Sequence, residues 1–175
     1  MTSNYVGQAL AMGFTAAAEI PADLVIPENR IRDLCNPEQC RAYGTNWVCP
    51  PGCGELSALR ESLKQYSQAL VLQCRTEGVD TADLKKMAEL SACNAARVLQ
   101  LREQIGESYP NVLSLSTGGC TECEACAWPE PCRKPEKKRG SLSGYGIDVG
   151  ALCSAAGMEF AFVPDVLTLV ACLLY

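Results

Sequence analysis

Four cysteines at positions 120, 123, 126 and 132, in GGCTECEACAWPEPCRKP, have the residue type and the spacing for soft-metal chemistry. Three cysteines two residues apart cannot all point from a regular helix at one small ion, whereas a loop coiled around a cube brings all three to iron corners. Gly118 and Gly119 leave backbone N–H groups that can approach the sulfides of such a cube, and Pro129, Pro131 and Pro135 stiffen the chain around Cys132. The same residues also suit a four-thiolate zinc knuckle. A disulfide pair is disfavoured where no export signal accompanies it.

Residues 118–135 are therefore read as a ferredoxin-like cysteine loop. The first three cysteines follow the CxxCxxC run that holds a [4Fe-4S] cluster, and the fourth comes after five intervening residues. A second constellation, Cys35, Cys40, Cys49 and Cys53, occupies residues 35–53 in LCNPEQCRAYGTNWVCPPGCGEL. Its spacings of four, eight and three intervening residues match no common zinc ribbon, and Cys49-Pro50 repeats the Cys-Pro ending of cluster loops. Four ligands here would close a cluster, and three would leave one iron open to substrate, so Cys53 decides between these cases. A structural zinc ion held by this loop is the alternative.

The remaining cysteines are expected to pack rather than to ligate. Cys74 falls in an apolar strand segment, Cys93 in a helix, and Cys153 and Cys172 in apolar C-terminal surroundings. Trp47 and Trp128 each stand within two residues of a cysteine, where they would shield a cluster from water or simply pack. Arg133, Lys134, Lys137, Lys138 and Arg139 form a basic run expected to be an exposed loop, suited to docking an acidic redox partner by complementary charge.

Composition supports thiolate chemistry and excludes several alternatives. Twelve cysteines and no histidine in 175 residues mean that any zinc or iron site is built almost wholly from sulfur. A net charge of -5 argues against nucleic acid as the main partner, because nothing would offset phosphate repulsion. No stretch is long and apolar enough to predict a membrane span, and no Lys or Arg precedes the apolar run at Ala9–Ala18, so a cytoplasmic location is expected.

The elements that must position these loops read as a single metal-binding domain over 1–175, an α/β or α+β layer with the cysteine loops at one end of its sheet. Strands are predicted near Thr15–Ile20, over Ala69–Arg75, over Val112–Ser116 and over Val166–Leu174. A short amphipathic helix follows from Leu56, Leu59, Leu63 and Tyr66. The longest helix begins at Asp80 and Asp83 and carries Leu84, Met87, Ala88, Ala95, Val98 and Leu99 down to Gly106. A last helix is expected from Asp148 to Ala156, stopped by Gly157.

Taken together, CxxxxC followed by YGxNWxCPP, and GGCxxCxxCxxxxxCRxP followed by GYGIDV, resemble a family of cysteine-rich predicted metal-binding, iron-sulfur proteins of unknown function from anaerobic bacteria and archaea. The resemblance spans roughly Cys35 to Val149 and implies that Cys35, Cys40, Cys49, Cys120, Cys123, Cys126 and Cys132 are motif cysteines. It does not place Cys53. The expected function is binding of one or two [4Fe-4S] clusters for electron transfer with a redox partner protein. The alternatives are an enzyme or metal- and sulfur-handling protein with an open iron, helped by Glu38 and Arg41, and a zinc-binding structural module. A radical enzyme using S-adenosylmethionine is disfavoured, since its CxxxCxxC spacing is absent and the chain is short for its barrel.

Overall fold

A computed structural model describes residues 4–175. The chain runs α1 (Tyr5–Ala11), β1 (Ala16–Pro21), α2 (Asn29–Arg32), α3 (Leu56–Leu63), β2 (Gln68–Glu77), α4 (Leu84–Gly106), β3 (Leu113–Ser116), β4 (Gly140–Ser141), α5 (Val149–Ala155) and β5 (Val166–Leu174). The five strands form one sheet in the order β1-β2-β5-β3-β4. All neighbours are antiparallel except β3 and β4, which pair parallel through Leu115–Gly140 and Ser116–Ser141. The fold is a small single-domain α+β layer, as the residue pattern implies.

The sheet is buried on both faces, which is why β2 and β5 read as continuous apolar runs rather than alternating ones. Alternate residues nonetheless part to opposite sides. Ala69 and Val71 of β2, with Val170, Cys172 and Leu174 of β5, pack with Leu63 of α3 and Leu152 and Cys153 of α5. Leu70, Leu72, Ala171 and Leu173 pack on the other face with Tyr5 and Ala9 of α1 and Val98, Leu101 and Ile105 of α4. Each fully buried Leu or Val contributes about 1.5–3 kcal/mol of transfer free energy.

The helix ends follow local chemistry. Asp83 accepts from Lys86 N at 2.9 Å and caps α4, and Asp148 accepts from Ala151 N at 3.1 Å and caps α5, which Gly157 ends in the left-handed region. Four expectations need correction. The α1 helix, capped by Asn4, lies where only an apolar segment was read. Tyr66 lies past the end of α3. The first half of α4 is solvated, with Leu84 78% exposed, and its buried residues begin only at Asn94. Cys93 lies on that solvated part and is exposed, whereas Cys153 and Cys172 are buried as expected.

The parallel pairing of β3 and β4 bears directly on the site. Parallel neighbours need a crossover connection, usually an α-helix. Here residues 117–139 make the crossover, and they contain the second cysteine loop and the basic run in place of a helix.

Candidate metal centre

The first cysteine loop connects α2 to α3 and is shaped by asparagines. Asn36 Oδ1 accepts from Glu38 N and Gln39 N, both at 3.1 Å, and Asn46 Oδ1 accepts from Val48 N at 3.0 Å and Cys49 N at 2.9 Å. Such side chains mimic backbone turns and satisfy amides that no strand or helix can reach. Gly44 N donates to Pro50 O at 2.8 Å and draws the middle of the loop onto its end. A peptide segment distant in sequence completes the enclosure. At Gly144, in the turn Ser143–Tyr145, a Cβ would meet Val48 O at 2.8 Å, so only glycine lets the two backbones approach this closely. Gly146 has φ +71° and would bring a Cβ within 2.7 Å of Glu28 O.

The thiols of Cys35, Cys40, Cys49 and Cys53 are electrostatic neighbours. Burial pushes the Cys35 thiol up, and Cys40 and Cys53 push it the same way against the Ser143 hydrogen bond and Arg32. Burial also raises Cys49, opposed by a hydrogen bond from Asn46 and assisted by Cys40, Cys35 and Cys53. Cys53 is raised by burial too, although Arg32 works against this through charge and a hydrogen bond. Arg32 Nη1 lies 3.1 Å from Cys53 Sγ and also donates to Gly144 O, while Nη2 reaches Gly54 O at 2.6 Å. Arg32 thus ties Cys53 to the glycine turn. The sequence reading missed it, although a basic residue three positions before Cys35 was a visible signal. Glu38 and Arg41 are exposed, with Glu38 N serving the Asn36 turn.

The second loop gathers its cysteines differently. Cys120, Cys123, Cys126 and Cys132 line a single cavity together with Trp47, Val48, Glu122, Arg133, Lys134 and Lys138. The basic run is only partly the solvated loop expected. Lys134 Nζ donates to Glu122 O at 2.6 Å and Arg133 Nη1 to Ala125 O at 3.3 Å, so both reach back over the loop. Arg139 is 4% exposed and pairs with Glu122 at 3.3 Å, a correction to the reading of this residue as surface.

The two loops touch. Trp47 of the first and Trp128 of the second meet edge to face with ring centroids 4.6 Å apart, and Trp47 Nε1 donates to Glu130 O at 2.8 Å. Both tryptophans therefore pack between the loops. The two cis peptide bonds among the described residues, Pro50–Pro51 and Trp128–Pro129, belong one to each loop.

Among the described residues, no group of three or more Cys, Asp or Glu is arranged to hold a single metal ion. The donor set nevertheless fits a thiolate-bound cluster: two groups of four sulfurs, no imidazole, and cations around the more open group to offset the charge of thiolates and sulfides. No helix of the described chain is long and apolar enough to cross a membrane.

Comparison with curated proteins gives no match, and neither does comparison with solved structures. One family model does match, over residues 18–175, and so takes in both cysteine loops and all of the sheet except the first two residues of β1. The chain belongs to the family described as Predicted metal-binding protein (DUF2284).

Proposed function

We propose that this metal-binding protein is an iron-sulfur protein, in which Cys35, Cys40, Cys49 and Cys53 hold one [4Fe-4S] cluster and Cys120, Cys123, Cys126 and Cys132 hold a second. Bound there, such clusters supply one-electron transfer. The observation that carries this reading is the sorting of eight thiols into two groups of four that meet at the Trp47–Trp128 contact. An all-thiolate donor set with no imidazole, four of its sulfurs lining one cavity, suits the soft iron of a cluster. The residues around the loops have matching tasks. Trp47 and Val48 line the second group's cavity and Trp128 packs on Trp47, which would limit water there, and Arg133, Lys134 and Lys138 would offset the negative charge of the cluster and present a positive surface to an acidic redox partner.

A second reading is favoured by Arg32. Because its guanidinium engages Cys53 Sγ, three cysteines would be left to hold the first cluster, with an open iron for a substrate or a sulfur ligand. Air-free isolation and reconstitution, followed by iron and acid-labile sulfide analysis, visible absorption and electron paramagnetic resonance, test both. The proposal expects brown protein with two clusters. Colourless protein, or zinc in place of iron and sulfide, overturns it. A resonance spectrum of the first cluster that shifts on adding cyanide, and is unchanged in Cys53→Ser, selects the open-iron reading.

A further inference from the structure

Next to the second loop lies another cavity, whose lining contains no thiol. Asn94 of α4, Ser116 at the end of β3, Gly118, Gly119, Thr121 and Arg139 bound it. Three of these side chains are buried, and each has one polar atom without a hydrogen-bond partner. Asn94 is 6%, Ser116 3% and Arg139 4% exposed, and Asn94 Oδ1, Ser116 Oγ and Arg139 Nε make no hydrogen bond. Buried polar groups are normally satisfied, and three residues that bound one cavity while each keeps an unmatched polar atom are a deficit that a ligand can fill.

The chemistry of the orphans defines that ligand. A guanidinium has five N–H donors and no acceptor. Arg139 uses one in a hydrogen bond, from Nη2 to Thr121 Oγ1 at 2.6 Å, and Glu122 Oε1 lies 3.3 Å from Nε without the alignment of a hydrogen bond. Among the described residues, the amides of Gly118 and Gly119 donate no hydrogen bond within the chain, and a Cβ on either would meet nothing within 4 Å. Donors therefore dominate: a guanidinium, a hydroxyl and two backbone amides. Asn94 Oδ1 is the one orphaned acceptor among them.

We propose that this cavity binds a small oxyanion, a carboxylate or a phosphate, held by Arg139, Ser116 Oγ and the Gly118 and Gly119 amides, with Asn94 Oδ1 accepting from a hydroxyl of the ligand. The ligand sits beside Cys120, the first thiol of the second loop, through the chain continuity of Gly118, Gly119 and Cys120. The inference does not depend on which metal the loops hold.

Calorimetric titration of the full chain, isolated without oxygen, with sodium acetate, sodium glycolate and sodium phosphate against matched sodium chloride tests this. Saturable binding of at least one of the three is expected, and the strongest of them identifies carboxylate, hydroxycarboxylate or phosphate. Ser116→Ala should weaken it by roughly tenfold or more, the effect of one lost hydrogen bond to a charged group. Since Ser116 Oγ has no partner in the chain, the same substitution should leave the unfolding temperature and metal content unchanged, so lost binding cannot be blamed on misfolding. Arg139→Gln should abolish binding, and Lys137→Gln, an exposed neighbour, should preserve it. The inference is overturned by the absence of saturable heat from all three anions, by wild-type binding in Ser116→Ala, or by loss of binding in Lys137→Gln.

Discussion

The two cysteine loops hold equal numbers of thiols but are built on opposite terms. The first is drawn into the fold: Cys49 is buried, Asn36 and Asn46 tie down its amides, and Arg32 and the Gly144 turn close over Cys53. The second replaces the helix of a parallel crossover, leaves Cys126 exposed and carries exposed cations at its mouth. Three cysteines of each loop are partly buried, so the contrast rests on the fourth, buried at Cys49 and exposed at Cys126. If both loops hold clusters as proposed, the second is the one placed to exchange electrons with a partner.

The sharpest way to break this comparison is to remove one thiol from each loop. Cys49→Ser and Cys123→Ser should each cut iron and acid-labile sulfide to about half. Only Cys49→Ser should also lower the unfolding temperature markedly, because metal binding in the first loop is coupled to packing around a buried side chain. Equal thermal effects would show that the loops are not built differently.

Gly144→Ala comes next. The added methyl would meet Val48 O at 2.8 Å and should dislodge the first loop, removing its cluster while the second cluster's resonance signal remains. Loss of both signals would show that the second loop depends on the first.

The contact between the loops gives a smaller effect. Trp47→Ala removes an edge-to-face pair and the hydrogen bond to Glu130 O, worth about 2 kcal/mol together, whereas Trp47→Phe keeps a ring and should cost about 1 kcal/mol. Denaturant unfolding of the loaded protein measures both. Indistinguishable midpoints would mean that the loops do not support each other.

The smallest effects concern the cysteines outside both loops. Cys93→Ser should change neither metal content nor stability, because the side chain is exposed on the solvated part of α4. Burial pushes the Cys172 thiol up to about 12, so it stays protonated at neutral and mildly alkaline pH. Brief alkylation of the folded protein, read by mass spectrometry, should therefore label Cys93 and spare Cys172. Labelling of Cys172 at a comparable rate would mean that β5 opens readily.

Much of the scaffold was legible because its signals are local. The Val166–Leu174 strand, the Asp83 and Asp148 caps and the Gly157 stop lie where apolar runs and end-forming residues place them. The exposure of Leu84 and Cys93 was not legible, since periodicity marks which face of a helix is apolar but not how much of its length is buried. Sites that need distant partners were hidden for the same reason. Asn94, Ser116 and Arg139 have no common motif, and only the tertiary fold brings them to one cavity.

By itself, the sequence determined the chemistry available: sulfur ligands without imidazole, in two spaced groups of four, on a chain that alternates apolar strands with capped helices. Tertiary structure alone decided that the groups adjoin through Trp47 and Trp128, that Arg32 holds Cys53, and that Arg139 is buried. The physical reason is range. Ligand type, capping and periodicity act within a few residues along the chain, whereas contact, burial and charge pairing depend on which distant segments the folded sheet brings together.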